Sequence, residues 1–89
     1  EIIIILTDIP LLEAQGIIER VRKGIEQSTV SGVPNDVHLT ASFGIADIAT
    51  SNADSIEQLI RAADEALYTA KHNGRNRVEL YQLPEQALD

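Results

Sequence analysis

The stretch Ile60-Arg61-Ala62-Ala63-Asp64-Glu65-Ala66-Leu67-Tyr68-Thr69-Ala70-Lys71-His72-Asn73-Gly74-Arg75-Asn76-Arg77-Val78 runs from an apolar helix face, through a basic end, into a glycine turn and a new strand. Upstream, Ser55 supplies an N-cap oxygen and Gln58, three residues on, completes the spacing of a capping box. Ile56, Leu59, Ile60, Ala63, Leu67 and Ala70 recur at helical spacing and form an apolar stripe. Ala62, Ala63, Ala66 and Ala70 add a small-residue face that lets the helix lie close to a sheet. Gly74 supplies the C-terminal stop. From Arg77 to Leu83 the pattern is that of a strand, with Val78, Leu80 and Leu83 inward.

Working towards the N-terminus, Asp47 to Asp54 reads as a polar loop, and Val37 to Ile45 alternates with period two. Val37, Leu39, Ala41, Phe43 and Ile45 point one way, the expected core side. His38, Thr40, Ser42 and Gly44 form a smaller, more polar face. Gly44 inside a strand predicts a bulge or the close approach of another segment. Ser31, Gly32, Pro34, Asn35 and Asp36 mark residues Thr29 to Asp36 as a loop. A helix is predicted over Pro10 to Ser28, with Asp8 as cap, Pro10 in the first turn, and Leu11, Ala14, Ile18, Val21 and Ile25 on one face. Glu19 with Lys23, and Arg22 with Glu26, are placed to pair on its wet side. Ile2 to Leu6 is a continuous aliphatic run, β-branched and short, so it reads as a buried strand. That strand requires a partner strand to cover its edge.

The expected order is β-α-β-α-β, an α+β (two-layer α/β) fold with a mixed sheet flanked by helices. Residues 1–83 form the folded unit and 84–89 a frayed tail. Three strands and two helices make a thin core, so a larger sheet with further strands is equally consistent.

Composition narrows the function classes. The chain has 89 residues, room for one small domain. Only Phe43, Tyr68 and Tyr81 are aromatic, so the core is aliphatic. Without cysteine there are no disulfides or thiolate metal sites. No apolar run approaches the ~20 residues that cross a bilayer, and no secretory leader pattern is present. A net charge of −7 argues against non-specific binding to nucleic acid or an anionic membrane surface. Within that acidic chain, Lys71, His72, Arg75 and Arg77 cluster around one helix end, where they read as charges complementing the helix dipole together with solvated strand residues. His38 and His72 lack partners at metal-ligand spacing and read as structural or solvated. The start at Glu1, with no methionine in the chain, suggests a fragment.

The alanine-aspartate, alanine-leucine-tyrosine, alanine-lysine and glycine-arginine-asparagine elements of Ile60 to Val78 resemble the closing signature of GGDEF domains. Leu39-Thr40-Ala41-Ser42-Phe43-Gly44-Ile45-Ala46 resembles the family's threonine-x-serine-x-glycine strand, at the family's separation from the first signature. Aligned backwards, Glu1-Ile2 falls on the last two letters of the GGDEF motif, with Ile2 in place of the usual phenylalanine. The resemblance extends to about Tyr81 and identifies the chain as the C-terminal half of such a domain.

That resemblance implies a nucleotidyl-cyclase-like palm fold and a bacterial, cytoplasmic signal-transduction enzyme, free or on the cytoplasmic side of a membrane-bound sensor. The implied enzyme is a diguanylate cyclase, a nucleotidyltransferase that condenses two GTP into cyclic di-GMP and releases pyrophosphate. It implies a homodimer of GGDEF domains, one GTP on each, and Mg²⁺ (or Mn²⁺) as cofactor. It implies no nucleic-acid partner and no direct membrane contact. Glu1 corresponds to a catalytic and metal-binding position, and Lys71 and Arg75 to positions that contact the substrate's terminal phosphates. Arg20 lies near an arginine of the product-inhibition site; its alternative is a surface residue beside Glu19. Asp64 and Tyr68 also resemble family positions, although packing and local pairing account for them. The motif's glycines, the other metal ligand and the guanine pocket are expected before Glu1, so the 89 residues alone are expected to be inactive. The alternatives are a degenerate module that binds GTP or cyclic di-GMP and regulates a neighbour, or an unrelated small interaction domain.

Overall fold

The computed structural model describes residues 9–28 and 39–83. Glu1, the Ile2 to Leu6 strand, the Asp8 cap, His38, the loop before it and the 84–89 tail lie outside the described residues. The described elements are α1 (Leu11–Glu26), β1 (Phe43–Ile45), α2 (Ile48–Ser51), α3 (Ile56–His72) and β2 (Val78–Leu80). This is an α+β arrangement. Its described sheet is a parallel pair, with Phe43 opposite Val78, Gly44 opposite Glu79 and Ile45 opposite Leu80. Parallel strands need a crossover, which α3 supplies. Bonds from Phe43 N–H to the Arg77 carbonyl (2.9 Å) and from Tyr81 N–H to the Ile45 carbonyl (2.7 Å) extend the ladder at both ends.

Local chemistry sets the helix ends. Ser55 caps α3, its Oγ accepting from Gln58 N–H at 3.2 Å. The Gln58 side chain reaches back to Asp54 N–H, one residue earlier than a reciprocal box requires. At the other end of α3 Asn73 is the C-cap and Gly74 adopts φ 119°. Arg75 N–H then bonds to the Ala70 carbonyl at 2.9 Å, the bond that defines a Schellman turn. In α1, Pro10 is itself the N-cap (φ −59°, ψ 146°) rather than a first-turn residue, and among the described residues no side chain caps the helix. Within the expected Asp47 to Asp54 loop, Asp47 caps the short α2 by accepting from Thr50 N–H, and Asn52 ends it in the left-handed region. One turn is too short to leave a periodic signature in sequence.

Small residues decide where α3 sits. Ala62, Ala66 and Ala70 are its buried line, and Ala70 is fully buried. They lie on β1 at Gly44. A Cβ built on Gly44 would stand 2.2 Å from the Leu67 amide nitrogen and 2.3 Å from the Ala63 carbonyl oxygen. The close approach expected at Gly44 is therefore made by the backbone of α3. Helix α3 thus covers the small face of the strand, while Phe43 and Ile45 on the other face are half-buried, as Gly44 is, and Leu39 is exposed. Helix and sheet meet where neither carries bulk. The stripe is corrected too, because Ile56 is 68 % exposed. The α1 face holds at Ala14 and Ile18, which are buried, but not at Val21, which is exposed. Residues 39–42, part of the longer strand expected from Val37, are outside the ladder.

Candidate functional site

The basic cluster sits on the last turn of α3 and the turn that follows. Lys71, His72 and Arg75 are exposed, and Arg77 is half-buried. The C-terminal end of a helix carries partial negative charge, which favours cations and repels anions. Any anion bound here must therefore be held by side-chain charge rather than by the helix backbone.

The four basic residues are not equivalent. His72 stacks on Tyr68, with ring centroids 3.9 Å apart, and its Nδ1 lies 3.2 Å from the Tyr68 carbonyl oxygen. Local partners thus take up one ring face and Nδ1 of the imidazole. Tyr68 is exposed, so this stack, not core packing, accounts for it. Asp64 is exposed as well, and among the described residues it joins no ion pair. The Arg77 guanidinium folds over the turn, donating from Nε to the Arg75 carbonyl at 3.3 Å. Lys71 and Arg75 are the exposed pair without such a local contact. Among the described residues neither side chain takes part in a hydrogen bond or ion pair. They are a point charge and a planar fork, separated by one helical turn across the Schellman turn, a pairing suited to phosphate oxygens.

Helix α1 brings a charged network to the same turn. Arg22, whose side chain is only 12 % exposed, grips Glu19 with Nε 3.0 Å from both carboxylate oxygens and a terminal nitrogen at 2.5 Å. Its other terminal nitrogen donates to Asn76 Oδ1 at 2.9 Å and lies 3.6 Å from Glu26. Asn76 also donates from Nδ2 to Glu26 and from its backbone N–H to Ser42 Oγ, the latter at 3.1 Å. The expected Arg22–Glu26 pair is present, whereas Glu19 turns to Arg22 instead of Lys23. Sequence reasoning gave Arg22 and Asn76 no functional weight. The available signals were an asparagine after Gly-Arg, suited to a left-handed turn, and an arginine flanked by two acids at helical spacing.

The Arg22 hydrogen bonds hold the Glu19 carboxyl below the usual carboxylate range, against a smaller desolvation effect and with added help from the charges of Arg22 and Lys23. A depressed folded-state pKa stabilises above the unfolded value, and that contribution disappears as pH falls through the folded value. Glu19→Gln is therefore expected to lower the domain's urea midpoint at neutral pH. The gap to the parent should close on acidification below the carboxylate range; a gap independent of pH would contradict this.

The structure does not bring Arg20 to this end. Arg20 is exposed, and it sits about 200° round α1 from Arg22, which faces the turn. Glu1 lies outside the described residues. Among the described residues no group of His, Asp and Glu is placed to hold a metal ion. A depression of about 370 Å³ between α3 and β2 is bordered by Glu65, Thr69, Asn73 and Glu79. Its two carboxylates make it unsuited to phosphate, and it includes neither Lys71 nor Arg75. No helix among the described residues is long and apolar enough to cross a membrane.

Comparison with known proteins gives this geometry a context. Residues 1–77 match the family described as "Diguanylate cyclase, GGDEF domain". The chain is 40% identical over 83 residues to diguanylate cyclase DosC of Escherichia coli, covering 92% of this chain and 18% of that protein. It is 32% identical over 80 residues to diguanylate cyclase A of Treponema denticola, covering 90% of this chain and 21% of that protein. Diguanylate cyclase DgcM of Escherichia coli is 36% identical over 78 residues, 88% of this chain and 18% of its own length. The chain thus spans about a fifth of the length of these relatives.

Proposed function

Since the chain belongs to the GGDEF domain family, we propose that it is the C-terminal part of a diguanylate cyclase domain whose Lys71 and Arg75 bind the terminal phosphates of GTP. The observation that carries this reading is the pair itself: two exposed cations without acidic partners among the described residues, set on either side of a rigid helix cap in a chain of net charge −7. In the reaction, the 3′-hydroxyl oxygen of each GTP attacks the α-phosphorus of the other. The bond from that phosphorus to the β-phosphate oxygen breaks, pyrophosphate leaves, and the hydroxyl proton passes to a base. Two such transfers close the cyclic product. Lys71 and Arg75 would neutralise the terminal phosphates as charge builds on the leaving pyrophosphate, a contribution of position and electrostatics.

Glu1 is proposed to act at the attacking hydroxyl or as a ligand to Mg²⁺ (or Mn²⁺), which would supply hard-cation neutralisation of phosphate charge. Among the described residues no group of side chains is placed to hold such an ion. Reciprocal attack calls for two domains facing each other, hence a homodimer with one GTP on each, in a bacterial cytoplasm where GTP is available. Arg20, on the far side of α1, is proposed as an outlying contact for product.

The test is incubation of the whole protein carrying this chain with GTP and Mg²⁺. Cyclic di-GMP and two equivalents of pyrophosphate are expected, with none from the isolated 89 residues. Tight GTP binding with no pyrophosphate release would instead indicate a regulatory module.

A further inference from the structure

The turn after α3 holds an unfavourable backbone conformation. Gly74, Arg75 and Asn76 all have positive φ, at 119°, 64° and 49°. Glycine adopts such angles freely and asparagine tolerates them, but for arginine they are uncommon. A residue persists there only when its surroundings over-determine it.

Those surroundings are specific. Arg75 N–H is tied to the Ala70 carbonyl on α3 at 2.9 Å. The next residue, Asn76, has both polar side-chain atoms committed to α1: Oδ1 accepts from Arg22 and Nδ2 donates to Glu26. Its backbone N–H is committed to Ser42, just before β1. Arg75 therefore lies between two fixed points while its own side chain stays exposed. Arg22 cannot be an anion site itself, because Glu19 and Glu26 already neutralise it.

We propose that Arg22 and Asn76 form a latch that fixes the left-handed turn and so sets how Arg75 meets the polyphosphate of a nucleoside triphosphate. They are positioning residues for that ligand and do not touch it. The latch rests on the reading of Lys71 and Arg75 as phosphate-binding, and it adds that this site is held in shape from α1.

The test uses the whole protein. Arg22→Gln removes the charge and the fork. Asn76→Gly keeps the freedom to adopt positive φ but deletes both side-chain bonds, so it spares the turn while opening the latch. Each is expected to raise KM for GTP about 10-fold, the scale of a small misplacement of a binding group, with a lesser effect on kcat. Affinity for guanosine, the same base and sugar without phosphates, should stay unchanged. Arg22→Lys keeps the charge without the fork and should restore only part of the loss. Equal losses for guanosine and GTP would reduce the network to general support and overturn the latch. An unchanged KM in these variants, where Lys71→Ala raises it, would overturn the latch and leave the phosphate reading standing. An unchanged KM in Lys71→Ala and Arg75→Ala as well would overturn both.

Discussion

Alanine at both Lys71 and Arg75 in the whole protein is expected to raise the KM for GTP by about 100-fold or more. Each cation would make charge-assisted hydrogen bonds to phosphate oxygens, and such bonds contribute about 1.5–3 kcal/mol apiece. Two lost together remove at least about 3 kcal/mol, with 1.4 kcal/mol per decade of affinity. Neither side chain has a protein partner among the described residues that would be left unpaired, so stability should change little. That separates a binding defect from a folding defect. Because both side chains are exposed, salt should weaken GTP binding in the parent more than in the double variant. Arg75→Lys should recover only part of the loss, since a point charge does not reproduce a bidentate fork. Titration of GTP against the double variant decides the matter: parental affinity would remove Lys71 and Arg75 from the substrate site.

Gly44→Ala should produce the largest loss of stability of any glycine-to-alanine change among the described residues. The added carbon would meet backbone atoms of α3 at 2.2 and 2.3 Å, where ordinary contact is 3.4 Å or more. Backbone cannot rotate aside as a side chain would. The helix must lift by about an ångström along its length, and lifting it opens the seam of Ala62, Ala66 and Ala70. Overpacking costs about 1–3 kcal/mol where side chains can adjust; with a helix backbone as the obstacle, about 3 kcal/mol or more is expected. Chemical denaturation of Gly44→Ala beside the parent gives the measurement. A change under about 0.5 kcal/mol, the range of a neutral surface substitution, would show that the seam is not close-packed.

Much of this was legible in the residues. Ser55, Gln58 and Gly74 mark the ends of α3, and each acts through the mechanism its chemistry predicts, apart from the one-residue offset of the Gln58 bond. Gly44 announces a close approach, and the approach is there. What misleads is the assumption that the larger residues of a strand face its covering helix. Alternation shows that two faces differ but not which one the helix takes. Here the glycine and alanines permit contact closer than Phe43 or Ile45 would. The candidate phosphate pair is legible because it is local, five residues spanning one turn. The latch is not, because Arg22 and Asn76 meet only once the chain has folded. On a helix wheel, Arg22 looks like a wet-side ion pair.

This difference between local and distant contacts carries over to the order of assembly. The Schellman bond joins residues five apart, whereas the Arg22–Asn76 bond joins residues 54 apart and the Ser42–Asn76 bond residues 34 apart. By loop-closure entropy, bringing Arg22 to Asn76 costs about 2 kcal/mol more than closing the Schellman turn. The helix end can form on the timescale of helix growth, while its clamp waits for collapse of the whole unit. Arg75 is thus placed early at the end of α3 and fixed late in space. Anything that loosens α1 would unfasten it again without melting the helix that carries it.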